Sequence, residues 1–182
     1  MDTPLGAPRL LHEGQFLRLW RTDHWEFVSR VRSRGACFLI AVTAADELLL
    51  VEQLRLPLRQ PCIELPAGII ADQAAHADES VLDSARRELL EETGYAGAEA
   101  EVVLETPTAP GMSSERGYFV RVRGLSRQGH GGGVDDEQIT VHAVPLTRIE
   151  PWLAAQRARG CAIDGRVLTA LYLLLRERGA GF

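Results

Sequence analysis

The chain of 182 residues contains no lysine, so its 20 basic residues are all arginine. That absence excludes the phosphate-binding P-loop, whose motif ends in lysine, and Schiff-base chemistry at a side chain. Cysteine is scarce too: Cys37, Cys62 and Cys161 are odd in number, far apart and without C-x-x-C spacing. They suit neither a disulfide framework nor a zinc site, and they predict core thiols in a reducing cytoplasm. Long apolar runs are missing. No stretch approaches 18 apolar residues, the longest candidate (168–175) reads as a short helix, and no basic region followed by an apolar run opens the chain. No membrane association is expected. Positive charge is in deficit, with a net charge of −5 and no basic block, which argues against nucleic acid or an anionic membrane surface as the main partner.

Hydrophobic residues make up 46% of the chain, enough for one well-buried core. Alternation at 16–20 and 25–28 around the polar turn 21–24 predicts an N-terminal β-hairpin. Apolar runs at 37–42 and 47–53 flank the Ala44-Ala45-Asp46 turn, and 102–104, 118–122 and 140–144 supply further strands. Helices are predicted over 149–157 and 165–178. Strands, a central helix, more strands and two terminal helices describe an α+β chain with helices on a mixed sheet. The glycine-rich stretch 129–133 reads as a flexible loop leading into Asp135-Asp136-Glu137.

The richest segment runs from Glu79 through Arg86-Arg87-Glu88-Leu89-Leu90-Glu91-Glu92-Thr93-Gly94-Tyr95. With 80–93 helical, Glu88, Glu91 and Glu92 stand at i, i+3 and i+4 on one face, while Val81, Ala85 and Leu89 form an apolar stripe. Asp78 or Ser80 supplies an N-cap and Gly94 a C-terminal stop. Carboxylates this close repel one another, and a hard divalent cation relieves that repulsion. Arg87 is placed to brace Glu91 one turn on. Taken alone, such a run is the solvated face of a surface helix.

The same residues resemble the Nudix box, G-x5-E-x7-R-E-U-x-E-E-x-G-U, position by position from Glu79 to Tyr95. The departure lies upstream, where ten residues rather than five separate Gly68 of Glu64-Leu65-Pro66-Ala67-Gly68 from Glu79. Residues 69–78 are read as a loop carrying the insertion, which surface loops tolerate. Other features resemble the ADP-ribose and nucleotide-sugar pyrophosphatase branch: Val51-Glu52-Gln53-Leu54-Arg55; Pro110, fifteen residues after Tyr95 and opening Pro110-Gly111-Met112-Ser113-Ser114-Glu115-Arg116; and the acidic run from Gly131 to Ile139.

The resemblance implies a Nudix-type α/β/α sandwich around a mixed sheet, with residues 1–35 as a hairpin element for dimerisation and the base site and 36–182 as the catalytic domain. It implies hydrolysis of a nucleoside diphosphate linked to a small molecule. Glu88, Glu91 and Glu92 with the Ala67 carbonyl would hold Mg²⁺ or Mn²⁺. Glu137, or else Asp135, would be the base, and Arg87 would orient the carboxylates. Arg55, Glu64, Pro110, Gly111, Glu115 and a base-stacking Trp25 would bind substrate. ADP-ribose is the first substrate implied, giving AMP and ribose 5-phosphate; GDP-mannose or another hexose nucleotide is the alternative. A homodimer is implied as well. A rival of another class is a sensor that binds a nucleotide sugar without turnover, and the intact Glu91-Glu92 pair counts against it.

Overall fold

Gly35–Ala41 (β4) is a run of seven buried residues whose alternation sends side chains to two sides. Ala36, Phe38 and Ile40 join Ile149, Leu153, Val167, Ala170 and Leu174 in one hydrophobic cluster. Cys37, Leu39 and Ala41 join Ala85 and Leu89 in a second. The first cluster lies under helices Ile149–Ala158 (α2) and Gly165–Glu177 (α3), the second under helix Val81–Thr93 (α1). This is the α/β/α arrangement expected from the sequence. The computed structural model describes residues 6–71, 76–134 and 138–179. Among them no helix is long and apolar enough to cross a membrane.

Two mixed four-stranded sheets make the middle layer. In one, β4 pairs in parallel with Arg116–Arg127 (β9) and antiparallel with Ala67–Ile70 (β7), while Tyr95–Pro107 (β8) pairs with β9. In the other, Glu47–Arg55 (β5) lies antiparallel between Thr140–Pro145 (β10) and Gln60–Glu64 (β6), and Ala162–Ile163 (β11) runs parallel to β6. Arg9–Glu13 (β1), Leu17–Thr22 (β2) and Trp25–Arg30 (β3) form a separate antiparallel sheet. The expected hairpin is β2 and β3. A third strand, β1, extends it, and its wholly exposed residues carry no alternation to announce it.

Helix α1 is held at both ends by local chemistry. The Ser80 hydroxyl accepts from the Asp83 backbone N–H at 3.2 Å, and Gly94, with φ of 74°, ends the helix in the left-handed region. The segment read as a loop from residue 69 differs at its start, since Ile69 and Ile70 belong to β7 and pair with Ala36 and Gly35. The glycine-rich stretch also differs from its flexible reading. Its backbone is tied to the end of α1: Gln128 and Gly129 donate to the Gly94 carbonyl at 2.8 and 3.1 Å, Gly132 to Glu92 at 2.8 Å and Gly133 to Glu91 at 3.1 Å. These donors satisfy carbonyls that a helix C-terminus leaves without partners.

Candidate active site

A cavity of about 540 Å³ opens beside the edge of β7, the inner face of α1 and the start of α3. Of the residues singled out in the sequence, Arg55, Glu64, Ala67, Glu88, Glu92 and Glu115 line it. Glu88 and Glu92 reach it because they lie one turn apart on α1, on the side that faces β7. Glu92 is only 3% exposed, and its Oε2 accepts from the Ala67 backbone N–H at 2.9 Å. Gly68 shows how close the helix and strand run. A Cβ there would overlap the Glu88 carboxyl group, so a residue without a side chain is required by contact rather than by backbone angle.

One guanidinium organises the box carboxylates. Arg87 reaches Glu79 at 3.1 Å, Glu88 at 2.9 Å and Glu91 at 3.0 Å. Burial works to lower the Arg87 pKa, but the Glu79 hydrogen bond and the charges of Glu88, Glu79 and Glu91 outweigh it and hold the group above its ordinary value. Burial likewise opposes ionisation of Glu79, and Arg87 and Ser84 reverse that, leaving its pKa below the usual range. Glu91 is thus turned toward Arg87 on α1 and is not part of the cavity lining.

Across the cavity Arg55 forks onto Glu64, with Nε and Nη2 at 2.6 and 2.5 Å from the two carboxylate oxygens. That bond is the main reason its pKa is raised, against burial, with the Glu92 charge adding to it. Two of five guanidinium donors are directed at Glu64. Glu115 pairs with Arg30 of β3. Trp25, Pro110 and Gly111 lie outside this lining. Trp25, 53% exposed, donates from its indole to the Gly111 carbonyl at 3.3 Å, and Val28 exchanges backbone bonds with Met112 and Ser114. The N-terminal sheet and the 110–115 loop therefore form one unit. Asp135 and Glu137 lie outside the described residues.

Sequence reasoning missed three charged lining residues, Arg30, Asp164 and Arg166. Asp164 carried a local signal as the N-cap of α3, accepting from the Arg166 backbone at 2.8 Å. Among the described residues no three His, Cys, Asp or Glu side chains are grouped as ready ligands of one metal ion. The donors that do face the cavity beside the Ala67-Gly68 backbone, Glu88 and Glu92, are hard carboxylate oxygens. That chemistry fits Mg²⁺ or Mn²⁺ rather than a soft metal.

A NUDIX domain model matches residues 32–163. The chain is 32% identical over 148 residues to the methanol dehydrogenase activator of Bacillus methanolicus, covering 81% of this chain and 76% of that protein. It is 30% identical over 171 residues to the ADP-ribose pyrophosphatase of Escherichia coli strain K12, covering 84% of this chain and 79% of that protein. In fold it matches a crystal structure described as an ADP compounds hydrolase, with a TM-score of 0.73 at 18% identity, covering 98% of this chain and 96% of the other. With a family match over most of its length, and with Glu88, Glu91 and Glu92 carried on the capped helix that the box specifies, the chain belongs to the Nudix hydrolases, on the branch that holds that ADP-ribose pyrophosphatase.

Proposed function

We propose that the chain hydrolyses the pyrophosphate of a nucleoside diphosphate joined to a sugar, with ADP-ribose as first substrate and AMP and ribose 5-phosphate as products. The observation that carries this reading is the meeting of Glu88, Glu92 and the charged Arg55 at one cavity of about 540 Å³. Glu88, Glu92 and the Ala67 carbonyl would hold Mg²⁺ or Mn²⁺, with Glu91 in support. When bound, such an ion neutralises diphosphate charge and makes water more acidic.

The remaining work falls to the chain's own side chains. Arg55, fixed by Glu64, donates to non-bridging oxygens and counters charge developing at the reacting phosphorus. Arg87 orients Glu88 and Glu91 through its contacts at 2.9 and 3.0 Å. A carboxylate of the 135–137 segment, Glu137 first and Asp135 second, takes the proton from water. The glycine seam supports this role, since it ties the approach to that segment onto the carbonyls of Glu91 and Glu92. Trp25 and the Pro110-Gly111 loop serve the base. The exposed Phe16, Leu17 and Trp25 on β2, β3 and their flank support a homodimer formed through the N-terminal sheet, which sedimentation at assay concentration tests; a monomer there refutes it.

The test is turnover of ADP-ribose, GDP-mannose, UDP-glucose and ADP-glucose in Mg²⁺ and in Mn²⁺ by the natural chain and Glu92→Gln. The expected result is cleavage to a monophosphate and a sugar phosphate, with the variant slower by orders of magnitude. No cleavage of any of the four, with one of them raising the melting temperature, replaces the reading with a sensor.

A further inference from the structure

We propose that Asp164 and Arg166, at the start of α3, determine specificity by reading the vicinal hydroxyls of a neutral sugar in the substrate. The proposal rests on the pyrophosphatase reading above and names residues that choose what lies beside the diphosphate. Three arginines line the main cavity, and each is paired with a carboxylate of the same lining: Arg55 with Glu64, Arg30 with Glu115, and Arg166 with Asp164 at 3.1 Å. Such pairs are close to neutral yet rich in hydrogen-bonding capacity, because guanidinium offers five donors and a carboxylate several lone pairs. Without a bound cation beside it, such as Glu88 and Glu92 would place beside the diphosphate, an anionic group would meet carboxylate as well as guanidinium and gain little over water. A hydroxyl, which both donates and accepts, finds both partners in one pair.

The Asp164–Arg166 pair is distinguished by position. Arg166 also lines two adjoining cavities of about 420 and 210 Å³, so it stands where the diphosphate cavity opens into the rest of the groove. Its guanidinium lies 4.4 Å from the centre of the Phe38 ring. Stacking on β4 and pairing with Asp164 fix its orientation before any ligand arrives, which lowers the ordering cost of binding. Side-chain exposures of 18% for Asp164 and 38% for Arg166 leave both within reach of a ligand.

Two sugars could supply the hydroxyls, the one attached through the diphosphate and the ribose of the nucleoside, and the assay separates them. The natural chain, Arg166→Leu, Arg166→Lys and Asp164→Asn are compared on three substrates: the best nucleotide sugar of the panel, its counterpart with methyl in place of the attached sugar, and its 2′,3′-dideoxynucleoside counterpart. Arg166→Leu is expected to lower kcat/KM for the intact substrate about 10- to 100-fold, chiefly through KM, as loss of charge-assisted hydrogen bonds implies. The loss is expected to be at least about fivefold smaller on whichever truncated substrate lacks the diol being read, and that arm names the sugar. Arg166→Lys restores part of the effect, and Asp164→Asn shows the same pattern more weakly. Equal losses on all three substrates, or a fall in kcat with KM unchanged, overturn the proposal while leaving the pyrophosphatase reading intact. Should Arg166→Leu fail to fold, the other two variants carry the same comparison. A folded natural chain inactive on the whole panel overturns both.

Discussion

Replacing Gly131 by alanine perturbs the seam between α1 and the segment that follows β9. Gly131 sits at φ of 68°, and a Cβ there would overlap the backbone of Glu92 and Thr93. An alanine forced into the left-handed region costs about 1–2 kcal/mol. Relieving the overlap also requires the segment to withdraw from the helix end. The bonds from Gly132 to Glu92 at 2.8 Å and from Gly133 to Glu91 at 3.1 Å are then lost. At about 1 kcal/mol each, the total comes to about 3–4 kcal/mol. For a domain of this size that lowers the melting temperature by about 6–16 °C.

Neighbouring glycines separate the two contributions. Gly132, at φ of 114° with only the Ile139 carbonyl near its missing Cβ, isolates backbone strain and should cost about 2 kcal/mol as alanine. Gly129 has open space around it and no positive φ, so its alanine variant should unfold with the natural chain. Thermal unfolding by circular dichroism orders the three. A Gly131→Ala protein that melts within about 2 °C of Gly129→Ala refutes the close-packed seam. Activity should fall as well, about 10- to 100-fold at temperatures where the variant is folded, because the withdrawn segment no longer holds the Glu91 and Glu92 carbonyls and the last turn of α1 loses the support that keeps the Glu92 carboxylate against Ala67.

Acid sensitivity should track two carboxylates. Glu79 and Glu52 are held below their ordinary 4.5 by Arg87 and by Arg159 with His142, against burial, so the stability they supply is present above that value and lost as pH falls through the lowered one. Urea unfolding of Arg87→Gln between pH 7 and 3 should show a shallower acid-side decline; an unchanged slope contradicts it. Arg55→Lys cannot keep the two-oxygen fork onto the buried Glu64 and should lose about 1–2 kcal/mol in urea unfolding, where an unchanged midpoint would deny the fork any role. Burial pushes the Cys37 and Cys62 thiols up to about 12, with the Glu64 charge adding to it at Cys62, so a thiol reagent at pH 8 should label them only after unfolding. Rapid native labelling of either refutes their burial.

The elements legible in the sequence are those whose signal is local. Strands β4 and β5 are long apolar runs, and α1 carries its stripe, its Ser80 cap and its Gly94 stop within 15 residues. Strands β6, β7 and β11 were not legible, because Pro61 and Gly68 are residue types that weaken a strand's local signal and β11 is two residues long. Their strand character comes from partners in space: Cys62 pairs with Gln53 and Ala162, and Gly68 with Cys37. The site divides the same way. The α1 carboxylates follow from helical spacing, whereas Arg30 meets Glu115 across 85 positions of sequence. The 129–133 stretch read as mobile because its function is stored in α1, whose final carbonyls it satisfies.

The ten residues between Gly68 and Glu79 explain why lengthening the box need not disturb it. Doubling the number of residues between two anchors from five to ten adds only about 0.6 kcal/mol of closure entropy, and Ile69 and Ile70 are themselves held in β7. Burying one side chain of the size of Leu89, which is wholly enclosed together with Ala85 against Cys37, Leu39 and Val120, supplies about 1.5–3 kcal/mol. Packing therefore outweighs loop length in setting where α1 lies. The contact between Gly68 and Glu88 is fixed from the far side of the loop, by β7 pairing with β4 and by α1 seated on the same strand. Extra residues between these two anchors change the path of the connection and leave the glycine against the carboxylate. It follows that shortening the loop should alter stability by less than 1 kcal/mol, while any side chain at Gly68 should displace Glu88.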